Sequence, residues 1–330
     1  MYSKEKILQE KFTSLLRERI PRHLTNTLME ILPLEKEAIY RRLRGEVAFS
    51  FVEMATLSTY LGISLDNIAN YASPYHSQWY HLHLRDYCEY KPMDLSMDHN
   101  YIRAINRAAD DSNSEFGIAA NTIPLHISLL HLPIYRVYLL KWMYQFGKTP
   151  KDKLSYANIL LSEAEKKIYQ QYIEAIKRIR YTFFIWDKSF FASLINDINY
   201  FYNIRIISRK EMNMLWQELI RLLNTLEYYA DHGEFDTGNK IEIYVSNLNF
   251  DTSYTYLSSD NLFISMNNVY SLGTFISQEK GAYEDMKKWI QGLKKSSTLI
   301  SGAAQYEKII FFEKQKKILD NHFIMDKRSD

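Results

Sequence analysis

The stretch Leu34-Glu-Lys-Glu-Ala-Ile-Tyr-Arg-Arg-Leu-Arg-Gly45 reads as a short helix with two unlike sides. Lys36, Tyr40, Arg41 and Arg44 fall on one side, while Ala38, Ile39 and Leu43 turn inward, so the back can pack while the front enters a major groove. Gly45 ends the helix, because glycine takes up the left-handed conformation at a helix terminus without a Cβ clash. Upstream, 25–32 carries the apolar stripe Leu28, Ile31 and Leu32, and Pro33 stops that helix by pushing its predecessor out of the helical region. Two helices joined by so short a turn cross steeply, the geometry that presents the second one to DNA. The segment 3–20 supplies a first helix. Downstream, Ser50 caps a further helix whose inward side is Val52, Leu57, Tyr60 and Leu61. Gly62 closes it, and Ser64 caps a last helix with Leu65 and Ile68 inward.

On these residues, the span from about Leu24 to Asn70 resembles the Cro-repressor-like, XRE-type helix-turn-helix family. The matching residues are Ala38-Ile39-Tyr40-Arg41, Gly45, and the closing Leu61-Gly62-Ile63-Ser64-Leu65-Asp66. The resemblance implies a five-helix bundle over 1–73 that binds double-stranded DNA through the helix holding the first group. Carried over by position, Lys36, Glu37, Tyr40 and Arg41 face base edges, and Arg42 and Arg44 lie nearer phosphates. Two departures stand out. Arg42 occupies an inward position where the family usually has a large apolar side chain, which leaves Leu43 to fill that place, and the glutamine-rich start of the second helix is missing.

An arginine-rich helix end is also what a solvated face with favourable dipole interactions looks like. The turn and cap signals on both sides agree with the DNA-reading alternative. Charge is the weaker witness: between residues 1 and 74 ten Lys and Arg face nine Asp and Glu, so attraction for phosphate must come from local clustering. A single module of this kind gives limited specificity, and a homodimer reading two half-sites one helical turn apart is the economical expectation.

At 330 residues the chain is too long for a lone DNA-reading bundle. With 46% hydrophobic and 24% charged residues and a formal charge of +2, the composition is that of a globular domain and points to neither a membrane nor a polyanion. The single cysteine, Cys88, excludes an intramolecular disulfide, the charged 1–20 segment lacks a signal-peptide core, and no window is apolar over a membrane's width, which fits the cytoplasm. Only 10 Gly and 7 Pro imply long helices and short connections.

A connecting segment is expected at 74–95, and helical periodicity at 97–109, 126–146, 156–180, 190–206 and 208–231. Pro133 moves the start of the second of these towards itself. Ile241-Glu-Ile-Tyr-Val-Ser-Asn-Leu248, Ser253-Tyr-Thr-Tyr-Leu257 and Leu262-Phe-Ile-Ser-Met266 alternate and read as strands. The expectation is a mostly α chain: the helix-turn-helix bundle, then an irregular antiparallel helical domain over 96–330 with a small antiparallel β-meander near 240–277.

His76, His81, His83 and Cys88 are zinc-competent but follow no metal-ligand spacing, and no metal or cofactor is expected. Ser296-Ser-Thr-Leu-Ile-Ser-Gly302 lacks the spacing of a phosphate cradle or nucleophile elbow and reads as a turn and helix cap. The carboxylates are scattered, so no catalytic group is assigned. Phe184, Trp186, Tyr200, Tyr202 and Tyr228, read as helical, are candidates to line a ligand pocket, with core packing or a dimer interface as the alternative. The expected function is a sequence-specific transcription regulator whose larger part dimerises and senses a small-molecule or protein effector. The rival is a protein-interaction adaptor that keeps the helix-turn-helix fold without binding DNA.

Overall fold

The computed structural model describes residues 4–324 except 62, 66–67, 70–81, 86–94, 148, 261, 271 and 303–304. The expected cap at Gly62, parts of the last bundle helix and of the connecting segment, and the end of the chain from 325 lie outside the described residues. The chain divides into two units, Met1–His81 and Leu82–Asp330.

The first unit contains α1 (Lys4–Arg19), α2 (Leu24–Ile31), α3 (Lys36–Leu43) and α4 (Phe51–Leu61). Their inward residues form one apolar cluster, including Phe12, Leu16, Leu28, Leu32, Ile39, Phe49 and Leu57. Phe12 meets Phe49 edge-on with ring centroids 5.3 Å apart. The Gln9 amide accepts from the Phe49 N–H at 3.0 Å and donates to its carbonyl at 3.3 Å, so α1 satisfies backbone groups in the loop before α4. One expectation fails on α4: Val52 and Tyr60 are each 71% exposed. The buried side of the helix runs instead through Leu57 and Ser58, which leaves Val52, Thr56 and Tyr60 at four-residue steps on the outer side.

The second unit departs from the expected helical domain. It is built on an eight-stranded mixed sheet with strand order β1-β7-β6-β5-β2-β3-β4-β8. In chain order its elements are β1 (His83–Arg85), α5 (Leu95–Ala109), β2 (Glu115–Ala120), α6 (Leu125–Ser128), α7 (Leu132–Phe146), α8 (Glu163–Lys177) and β3 (Tyr181–Trp186). There follow α9 (Phe190–Asn203), α10 (Arg209–His232), β4 (Lys240–Ser246), β5 (Tyr254–Ser259), β6 (Leu262–Tyr270), β7 (Gly273–Ser277), α11 (Lys280–Lys295), β8 (Ser297–Leu299) and α12 (Gln305–Ile324).

The strands β2, β3 and β4 are parallel neighbours. Parallel neighbours need crossover connections, which α6 to α8 and then α9 and α10 supply. Side chains alternate across the sheet. Phe116, Ile118, Phe184, Trp186, Ile241 and Ile243 face the large helical layer, while Ala119, Phe183, Ile185 and Tyr256 face α11. The β-meander is corrected accordingly: β4 is not part of it but pairs with β3 and β8, while β5, β6 and β7 run antiparallel and β1 adds to their edge. The 296–302 turn contains β8, and the helix expected over 156–180 is confined to α8, with Tyr181 already in β3.

Capping fixes the helix starts. Ser162 with Glu165, and Ser208 with Glu211, form reciprocal boxes at α8 and α10. At Gly117 an added Cβ would stand 2.6 Å from the Phe183 ring and 2.7 Å from the Tyr256 ring, so the sheet demands glycine there. We expect Gly117→Ala to lower stability by about 1–3 kcal/mol in urea titrations, from overpacking. Gly292→Ala on α11, where a Cβ meets nothing within 4 Å, should instead raise it by about 0.5–1 kcal/mol. Equal effects at the two sites would contradict the packing described.

Candidate nucleic-acid interface

The reading helix α3 is fixed at its end by backbone chemistry. Gly45 has φ 76°, the Glu46 N–H donates to the Arg41 carbonyl at 2.9 Å, and the Gly45 N–H donates to the Arg42 carbonyl at 3.0 Å. These are the paired bonds of a Schellman closure. Arg17 on α1 donates to the Leu43 carbonyl at 3.3 Å, placing a cation at the negative end of the helix dipole.

Glu53 fixes the orientation of α3 against α4. Its carboxylate accepts from the Ser50 N–H at 2.9 Å while Ser50 Oγ accepts from the Glu53 N–H at 3.3 Å, a capping box. The same carboxylate takes Arg42 through two bonds, Nε to Oε2 at 2.9 Å and Nη2 to Oε1 at 2.8 Å. Arg42 also donates to the Ala38 carbonyl at 3.2 Å. The two side chains are only 16% and 15% exposed. Burial alone would raise the Glu53 pKa, but the bonds from Arg42 and Ser50 outweigh it and hold the carboxyl below its usual range.

The remaining residues of the expected reader stand outward. Lys36, Glu37, Tyr40, Arg41 and Arg44 are exposed while Ile39 is fully buried beneath them. The Lys36 ammonium lies 5.9 Å from the Tyr40 ring centroid. Arg41 is 3.6 Å from Glu46, and Arg44 binds Glu46 at 2.6 Å and Glu37 at 3.1 Å. Those bonds, Glu46 first and Glu37 second, push the Arg44 pKa upward. Being open to water, these pairs are screened, and a phosphate can compete with their carboxylates. Arg42 differs: its guanidinium is largely shielded and held by Glu53 and the Ala38 carbonyl, so it leaves the phosphate-contacting set. Its inward position beside a Ser50-x-x-Glu53 capping signature was the sequence signal for this clamp.

The five aromatic candidates for a ligand pocket are not brought together. Phe184 and Trp186 lie in the buried strand β3, with the Trp186 ring stacked 6.2 Å from Phe184 and 5.1 Å from Phe190. Tyr200 is bonded to the Tyr144 hydroxyl at 2.8 Å, Tyr202 packs against the main core, and Tyr228 lies over the His232 ring at 4.0 Å. Phe184 does border a cavity of about 20 Å³, beside a residue that sequence reasoning missed. His126 on α6 stacks on Phe184 at 5.0 Å and meets Phe116 edge-on at 5.6 Å. Its Nε2 has no hydrogen-bond partner among the described residues, and burial pushes its pKa down to about 3.

A second group missed in the sequence joins carboxylates that are far apart in the chain. Glu115 accepts from Tyr256 at 2.6 Å, from Gln291 at 3.3 Å and from Lys287. Glu242 accepts from Tyr181 at 2.5 Å, Lys240 at 2.6 Å, Tyr244 at 2.8 Å and Lys294 at 2.9 Å. Burial opposes the Glu242 charge, yet these donors bring its pKa down to about 2. Each carboxylate is saturated with donors, so the seam fastens α11 to the sheet rather than holding a poised acid or base. Of the zinc-competent group, His76, His81 and Cys88 lie outside the described residues. No family model matches this chain, and no curated protein or solved structure is significantly similar to it.

Two expectations follow from these environments. Arg42→Met should cost about 1–3 kcal/mol by leaving the shielded Glu53 carboxylate short of its charged donor. Because the folded Glu53 pKa is lowered, the clamp's contribution is complete above the unfolded carboxyl value and lost as pH falls through the folded one. Hydrogen exchange at α4 in the full chain should therefore speed up in Arg42→Met at pH 7, and the difference should shrink in acid. An undiminished difference at low pH would contradict the clamp.

His126 has the opposite charge logic. Unfolded, it takes a proton near its ordinary value of 6.5, whereas folded it resists until about 3, so stability falls as pH drops through that window. His126→Leu should flatten this slope in urea midpoints between pH 7 and pH 4. An unchanged slope would place the histidine in a wetter site than described.

Proposed function

We propose that this chain is a sequence-specific DNA-binding transcription regulator that acts as a homodimer in the cytoplasm, with α3 as the reading helix. The observation that carries the reading is the outward set Lys36, Glu37, Tyr40 and Arg41 above a fully buried Ile39, on a helix with a closed end. Lys36, Tyr40 and Arg41 meet base edges, and Glu37 has an acceptor for a cytosine amino group once Arg44 turns to a phosphate. Arg44 anchors and Arg42 does not touch DNA. The second unit is then the part that pairs two copies and takes an effector. No described helix is long and apolar enough to cross a membrane, which is in keeping with this reading.

A second reading, a protein-interaction adaptor, is favoured by one specific observation. Every arginine from 41 to 44 already has a carboxylate partner, Glu46, Glu53 or Glu37, so the face carries little uncompensated positive charge.

Fluorescence anisotropy of labelled random duplex with the full chain, at two salt concentrations, separates the readings. The regulator should bind with affinity that falls as salt rises, and Arg44→Ala should lower the slope by about one. Tyr40→Ala and Arg41→Ala should relax base preference by about 1–3 kcal/mol per contact. Absence of salt-dependent retention would favour the adaptor.

A further inference from the structure

The cavity beside His126 has a second feature that points outward. Its wall includes Lys177 and Tyr229 as well as Phe184 and Phe235, with aliphatic side chains of α6, of the turn after it and of α8 completing it. The Lys177 ammonium pairs with Asp236 at 2.9 Å, the lysine being 14% exposed and the aspartate 63%. Tyr229 and Asp236 also line an open groove of about 360 Å³ together with Asn224, Thr225 and Tyr228. The small cavity and the groove therefore share Tyr229 in their walls, and Lys177 of the one pairs with Asp236 of the other.

The chemistry of the two compartments is unequal. The small cavity has an all-apolar surface, and the His126 imidazole in its wall keeps a buried Nε2 without a partner among the described residues, whereas buried polar groups in native proteins are paired with few exceptions. At about 20 Å³ the cavity has room for no more than a water molecule. Rotation of Tyr229 into the groove, which is shallow and open to solvent, would join the two spaces. Opening would uncover a cage of Phe184, Phe235 and the His126 ring with its unpartnered nitrogen, and it would release Lys177 from the Tyr229 hydroxyl, leaving the lysine paired with the exposed Asp236.

We propose that this is a binding site for a small aromatic carboxylate, with the ring among Phe184, Phe235 and His126, the carboxylate on Lys177 in place of Asp236, and Tyr229 as the door. Flat rings suit an aromatic cage, and a fixed cation at its lip selects an acid over a neutral ring. His126 Nε2 accepts from a ring hydroxyl or N–H. The inference gives the effector of the proposed regulator a site and a chemical class, and it rests on that reading only for its biological role. Binding is measured without DNA, so failure here and failure of the DNA-binding reading are told apart.

The experiment is calorimetric titration of the full chain with 4-hydroxybenzoate and, separately, with phenol. The expected result is saturable binding of 4-hydroxybenzoate, at least tenfold weaker binding of phenol, and loss of that preference in Lys177→Met. Asp236→Asn, at an exposed position that leaves the core untouched, should tighten 4-hydroxybenzoate severalfold by freeing the lysine. Tyr229→Ala, which removes the door, provides a second chance to see binding if opening is rare. No saturable binding by either the unaltered chain or Tyr229→Ala overturns the proposal. So does equal affinity for the acid and for phenol, or an Asp236→Asn variant that binds no better.

Discussion

The outward face of α3 depends on one carboxylate. Glu53 closes the capping box at the start of α4 and in the same geometry receives the Arg42 guanidinium from α3. The two roles are linked, since the cap sets where Glu53 stands and Arg42 then sets how α3 is rotated. With Arg42 drawn inward beside Ile39, the side chains at 36, 37, 40 and 41 have only the solvent side to occupy. A buried pair of this kind does more to specify than to stabilise, because desolvation offsets much of its attraction. It fixes one orientation of the helix and makes the alternatives costly.

The second unit rests on a different constraint. The strands β2, β3 and β4 are covered on both faces, by the large helical layer on one side and by α11 on the other. Such strands are mainly apolar on both faces, with the exceptions Glu115 and Glu242 bonded to lysines and tyrosines, and they need helices on the way from one to the next. Both consequences shape what the unit can do. The crossover between β2 and β3 brings α6, with His126, down onto Phe184, and the loop after α10 places Phe235 and Asp236 beside Lys177. On the other face, paired carboxylates and lysines lock α11 to the strands, while the cavity beside His126 lies on the helical side.

The first unit was legible in the sequence where signals are local. The proline stop after α2, the Gly45 closure and the Ser50 cap each act within a few residues, and so did the inward residues Leu28, Ile39 and Leu57. Val52 and Tyr60 face outward against expectation because apolar character alone does not dictate burial, and single apolar side chains on a surface are common. Arg42 was misplaced because its partner lies eleven residues on, across a turn. The strands β2 and β3 were missed for a physical reason: with both faces buried, Tyr181-Thr-Phe-Phe-Ile-Trp186 shows no period of two, and Glu115-Phe-Gly-Ile-Ala-Ala120 has weak strand propensity. Their pairing is long-range, as is the company of His126, and a single sequence carries no mark of either.

The central claim is that the exposed side of α3 reads base sequence. Selection of bound fragments from a random duplex library by the full chain tests it most directly. The account requires a recurring motif in paired half-sites about one helical turn apart, with the preference degraded when Tyr40 and Arg41 are replaced by alanine. Recovery of fragments with no common motif, or of the same motif after those replacements, would contradict it.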